Sequence, residues 1–252
     1  MRAMHRDTIK LSTGACRLVA HRGLSGLETE NTCAAFLAAG LRGYWGIETD
    51  VHPSPDGRFV CSHDRDLRRV SGVAGFDVRT RPSAETRSVP LLDPDGETRR
   101  SDLRVPFFED YLAICRKYGR VPVVELKDGP FDLRTVRRLV ARVREAGLLD
   151  RAVFIAFDWG DCLRARKVCP DNEVMHLVGG GGGQRTLAEH VAHRIGADYR
   201  HDLVTPELVA AFHAAGLRVN AWIVDTLADA ARLLDAGVDL ITTDILEEAQ
   251  GA

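Results

Sequence analysis

Nowhere in these 252 residues is there an apolar run long enough to cross a bilayer. The opening stretch MRAMHRDTIKLSTGACRLVA has no continuous apolar core of the kind a signal peptide needs. A soluble, cytoplasmic protein without stable membrane insertion is therefore expected. Charge of one sign is also lacking: the formal net charge is -2, with arginines interspersed among acids, which argues against nucleic acid or an acidic surface as partner. The six cysteines (Cys16, Cys33, Cys61, Cys115, Cys162, Cys169) show no C-x-x-C pairing, so neither a zinc site nor a disulfide framework is indicated. Buried free thiols in a reducing compartment are expected instead. The run Gly179–Gly183, followed by Gln184 and Arg185, lacks the Gly-Lys-Ser/Thr ending of a phosphate loop and reads as a mobile connection after a strand.

What is present is ordinary globular composition, 45% hydrophobic and 28% charged, with no break that forces a split, so one domain over residues 1–252 is expected. Short β-type runs alternate with helical patterns: Leu18–Ala20, Gly46–Val51, Val121–Leu126, Ala152–Phe157, Glu173–Leu177, Ala197–Tyr199, Arg218–Ile223 and Asp239–Thr243. Between them, apolar residues recur at helical spacing, as in Val136, Leu139, Val140 and Val143; Leu208, Val209 and Phe212; and Leu227, Ala230, Leu233 and Leu234. Glycines at 119, 147, 216 and 237 each precede a strand, as helix ends should. Eight such units predict an α/β (β/α)₈ TIM barrel, with a doubly wound open sheet as the alternative. Residues 70–104 have no sustained period and read as an insertion after the second strand, a lid or side wall. Just before it, Asp56-Gly57 separates two extended runs as a turn would.

In such a barrel the chemistry sits at the C-terminal strand ends. Strand one delivers His21 and Arg22 there. Glu48 and Asp50 alternate on strand two and share a face; Glu125 and Lys127 do so at the end of strand three. Three inward carboxylates need a positive partner, and a divalent cation with oxygen ligands is the simplest one; an ion pair of Glu125 with Lys127 or Arg22 is the plainer reading of that residue alone.

These residues carry a family resemblance. The series His21-Arg22-Gly23, Glu30-Asn31-Thr32, Glu48-x-Asp50, His63-Asp64 with Leu67 and Arg69, Glu125-x-Lys127 and Trp222 resembles the glycerophosphodiester phosphodiesterases over nearly the whole chain. The resemblance implies a TIM barrel that hydrolyses glycerophosphodiesters, small-molecule substrates, to glycerol 3-phosphate and an alcohol. It implies that Glu48, Asp50 and Glu125 bind the metal, Mg²⁺ or Ca²⁺, that His21 and His63 are the acid–base pair, and that Arg22 and Lys127 hold phosphate oxygens. Asn31, Phe157 and Trp222 are by the same resemblance substrate-binding. It further implies attack by the neighbouring glycerol hydroxyl through a cyclic phosphate, with direct attack by water as the alternative. Ala156, where a serine is frequent, and Trp222-Ile223, for a common Trp-Thr, depart from the pattern.

Elementary chemistry agrees with these roles. A phosphodiester anion resists attack until positive groups neutralise it; Arg22 offers a planar two-toothed donor and Lys127 a point charge. One neutral histidine can take a proton while a protonated one donates. Gly23 would allow a close backbone approach to substrate or serve as a plain turn glycine. His52, His176, His190, His193, His201 and His213 have no partner pattern and read as surface or packing residues. A lysophospholipase D or phospholipase C-like activity on lipid headgroups is a competing function, as is a non-catalytic phosphodiester-binding module. The sequence carries no indication of oligomeric state.

Overall fold

The computed structural model describes residues 7–249; residues 1–6, the first of the stretch read for a leader, and residues 250–252 lie outside the described residues. Eight strands are built from short runs, most of them apolar: β1 (Arg17–Ala20), β2 (Gly46–Pro53), β3 (Val121–Leu126), β4 (Val153–Ala156), β5 (Glu173–Val178), β6 (Gly196–Arg200), β7 (Val219–Trp222) and β8 (Leu240–Thr243). Each pairs in parallel with the next in sequence. The pairing of β8 with β1 closes the ring, which excludes the open sheet. All eight expected strands are present, Val121–Leu126 with the bounds expected and the others with ends shifted by at most two residues.

Helices fill the crossovers. Thr32 caps the first of them, Cys33–Arg42, its side chain accepting from the Ala35 amide, so Asn31-Thr32 marks a helix start. The helix Leu133–Glu145 buries Val136, Leu139, Val140 and Val143, the spacing read from the sequence. In Leu227–Ala236 the buried residues are Ala230 and Leu233, whereas Leu227, expected on that face, is exposed: it is the first residue after the Thr226 cap, one turn short of the barrel wall. One apolar layer lies between strands and helices, and a second, including Val19, Val123, Val153, Met175 and Leu240, fills the barrel's interior. Among the cysteines, all are free; five are buried and Cys33 is half-buried.

Between β2 and β3 the chain departs from the rhythm. The strand Phe59–Cys61 returns antiparallel to the end of β2, across the Asp56-Gly57 turn. Two short helices follow, Arg68–Ser71 and Ser83–Ser88, then a hairpin of Pro90–Leu92 with Arg99–Arg104. This segment has an apolar cluster of its own, including Leu67, Val78, Leu91 and Leu103.

Candidate active site

A cavity of about 440 Å³, its opening to solvent included, lies at the C-terminal ends of the strands. His21 and Arg22 enter it from the end of β1, Glu48 from β2, His63 from the returning segment, Glu125 and Lys127 from β3, and Trp222 from β7. The β2–β3 register sets Asp50 directly opposite Glu125, so the two carboxylates sit side by side. Glu48, Asp50 and Glu125 are all buried and can each offer an oxygen within 4.8 Å of the others.

Two cations hold this trio. The Lys127 ammonium lies 3.0 Å from Glu125 Oε1 and 3.3 Å from Asp50 Oδ1, and Arg22 Nε lies 3.4 Å from Asp50 Oδ2. The Arg22 amide donates to Glu48 at 2.7 Å. Against the cost of burial, Arg22 and Lys127 hold Asp50 well below the usual carboxylate range. Burial, with Asp50 and Glu125 alongside, pushes Glu48 well above that range, and burial with Asp50 pushes Glu125 up to about 8 in spite of Lys127. Two cations thus face three carboxyl groups, and Asp50 Oδ1 has the Lys127 ammonium as an ion-pair partner but makes no hydrogen bond. A hard divalent cation, which takes carboxylate oxygens as ligands, fits these residues.

Each histidine is tethered at Nδ1 by a carboxylate. His21 Nδ1 lies 2.7 Å from Asp244 Oδ1, which also accepts from Ser25. His63 Nδ1 lies 2.6 Å from Asp64 Oδ1. The second oxygen of Asp64 accepts from Arg69, Arg69 grips Glu30 through two bonds of 2.7 and 2.8 Å, and Glu30 accepts from Arg22. Burial, aided by Arg22 and Lys127, lowers the pKa of His63 against the pull of Asp50 and Asp64.

Behind His63 stands His52, fully buried and pushed down to about 4 by burial and by Arg79. Its Nδ1 accepts from Arg79 Nε at 3.0 Å, which leaves the proton on Nε2, 3.3 Å from the His63 carbonyl. Arg79 also donates to the Lys127 carbonyl. His52, read as surface or packing, thus joins Arg79 of the insertion to the His63 backbone, while Arg79 itself reaches the backbone of Lys127.

Asn31 does not line the cavity. Its amide donates to Asp50 at 2.8 Å and its carbonyl accepts from Thr49, so it sits behind the acidic trio. Phe157 and Trp222 form one wall, edge to face with ring centres 5.6 Å apart, and the Lys127 ammonium lies 5.7 Å from the Phe157 ring. Gly23, with φ of 76°, faces the first helix: a Cβ there would come within 2.6 Å of the Ala35 backbone, so the close approach is to a helix. The glycine run continues from β5, and the Gly179 carbonyl accepts from Arg200.

A family model described as the glycerophosphoryl diester phosphodiesterase family matches residues 21–248. The chain belongs to that family. Glycerophosphodiester hydrolysis is the family's reaction, and the chain is an enzyme of this type. It is 30% identical to a glycerophosphodiester phosphodiesterase of Caldanaerobacter subterraneus, over 90% of this chain and 93% of that one. A crystal structure of a glycerophosphodiester phosphodiesterase from Parabacteroides distasonis superposes with a TM-score of 0.77 at 26% identity, covering 91% of this chain and 93% of that one. A phosphodiesterase of Oleispira antarctica, solved with the product sn-glycerol-3-phosphate, shares the fold with a TM-score of 0.75 at 23% identity, covering 90% of this chain and 92% of that one.

Against this family frame, two acids in the site escaped the reading of the sequence. Asp244 directly follows β8, and an acid just past a strand end is a signal that the barrel rule supplies. Asp198 sits inside β6 between Ala197 and Tyr199, an acid in an otherwise apolar run, which marks it as unusual without showing what it faces.

Proposed function

We propose that this member of the glycerophosphoryl diester phosphodiesterase family cleaves small glycerophosphodiesters to glycerol 3-phosphate and an alcohol, with Glu48, Asp50 and Glu125 holding a divalent cation, Mg²⁺ or Ca²⁺. The observation that carries this reading is a cluster of three buried carboxylates, two of which line the cavity, together with two carboxylate-tethered histidines that also line it. A cation bound there supplies positive charge to the phosphate oxygens and to the attacking oxygen. Lys127 is close enough to Asp50 and Glu125 to share the phosphate with that charge, and Arg22, fixed by Glu30 and Asp50, adds a planar donor.

Because Asp244 and Asp64 accept hydrogen bonds from Nδ1–H, His21 and His63 each present Nε2 for proton transfer. The neutral ring removes a proton from the attacking hydroxyl; the protonated one delivers a proton to the departing alkoxide. Asn31 serves this chemistry indirectly, by orienting Asp50. Phe157 and Trp222 give the substrate's carbon chain an apolar wall.

The test is turnover of glycerophosphocholine with both products identified, for the wild type and for His21→Ala and His63→Ala. Each variant should lose on the order of a hundredfold or more in kcat while still binding the cation. Near-normal turnover by either variant removes that histidine from the acid–base pair.

A further inference from the structure

The far wall of the same cavity carries a polar cluster with no part in the chemistry above. Asp198 on β6, Asn220 on β7 and Thr242 on β8 are buried on three adjacent strands. Asn220 Nδ2 donates to Asp198 Oδ1 at 2.7 Å and lies 2.8 Å from Thr242 Oγ1. Asp198 and Thr242 both line the cavity. The second carboxyl oxygen, Asp198 Oδ2, has no hydrogen-bond partner, although the residue is only 1% exposed. An acceptor left so is costly unless water or a ligand supplies the missing donor, and the cavity it lines admits either. Unlike the acidic trio, this carboxyl has no cation beside it, so the cavity has one wall built for phosphate and another built to accept a hydrogen bond.

We propose that Asp198 Oδ2 accepts the terminal hydroxyl of the substrate's glycerol half, the one on the carbon farthest from phosphorus. The assignment rests on the phosphodiesterase reading and goes beyond it by naming what selects the glycerol. With phosphate anchored by Arg22 and Lys127, one half of the diester must point to the enclosed end of the cavity and the other to its mouth. The mouth is marked by Phe157, which is 46% exposed, and by His63, more exposed than His21. The enclosed end is marked by the buried lining residues Ile155, Leu177, Thr242 and Asp198. A half that is the same in every substrate suits the enclosed end, and a half that varies in size suits the mouth. Asp198 then reads the constant half by a hydroxyl, a donor that neither Asn220 nor Thr242 supplies to Oδ2.

The experiment compares glycerophosphocholine with the diester lacking only that terminal hydroxyl, a propane-1,2-diol phosphocholine, which keeps the hydroxyl beside the phosphoester. The wild type should favour the parent on the order of ten- to a hundredfold in kcat/KM. Asp198→Ala should lose a similar factor on the parent, and its preference should collapse, so that the two losses do not multiply. A variant that keeps the wild-type preference overturns the assignment. A second measurement needs no variant: inhibition of the wild type by glycerol 3-phosphate should be tighter, by a comparable factor, than by the propane-1,2-diol monophosphate, and equal inhibition overturns the assignment. A wild type that cleaves neither diester overturns the phosphodiesterase reading together with it.

Discussion

At the scale of single residues, the site depends on carboxylates that fix proton positions. Asp244 lies 2.7 Å from His21 Nδ1 and Asp64 lies 2.6 Å from His63 Nδ1, so the tautomer of each ring is set by its partner. Replacing Asp244 by Asn removes the carboxylate charge and offers His21 Nδ1 an amide NH₂, which favours the opposite tautomer. Asp244→Asn should cut kcat about a hundredfold with little change in KM, measured on a protein whose melting temperature shows it to be folded. His21, Arg22, Glu48, Asp50, His63, Glu125 and Lys127 were legible in the sequence because each is a titratable or charged group on, or within two residues of, an extended apolar run, and alternation along a strand says which ones share a face. Asp244 was not, since it meets His21 from 223 positions away, across the seam where the barrel closes. Asn31 shows the reverse limit: its place in the motif is plain, but only geometry shows that it faces Asp50 and Thr49.

Among elements, the eight strands and their crossover helices could be read because their periods are sustained and their caps are local. The segment between β2 and β3 could not, because its helices and hairpin are short and owe their order to distant contacts, such as Val60 bridging to Phe107 and Asp66 to Asp77. A lid reading of residues 70–104 misses one of its effects. Arg79 reaches from this segment to His52 and to the Lys127 carbonyl, and His52 in turn meets the His63 carbonyl. Arg79→Met leaves two buried acceptors unpaired, and we expect it to destabilise the protein by about 1–3 kcal/mol. It should also lower kcat about tenfold, since His63 and Lys127 lose their common support. Denaturant unfolding and steady-state kinetics on the same preparation check both; full activity in a destabilised variant would confine Arg79 to a structural role.

For the molecule as a whole, the acidic trio links folding, proton binding and cation binding. Glu125, raised from its ordinary 4.5 to about 8, and Glu48, also raised, bind more protons folded than unfolded. In the cation-free protein their contribution to stability is present at low pH and is lost as pH rises through that window. Asp50, held low, works in the opposite sense, and its contribution is complete above the ordinary aspartate range. A bound cation displaces the protons on Glu48 and Glu125, so the rise in melting temperature on adding Mg²⁺ or Ca²⁺ should be larger at pH 8 than at pH 6. An equal rise at both would mean that the cation binds elsewhere. No helix among the described residues is long and apolar enough to cross a membrane. The most direct test of the central claim is turnover of glycerophosphocholine by chelator-treated protein, before and after a divalent cation is returned. The account predicts that activity disappears on stripping and returns in proportion to cation bound, with Glu125→Gln unable to recover it. Hydrolysis by the stripped protein at the untreated rate would contradict the account.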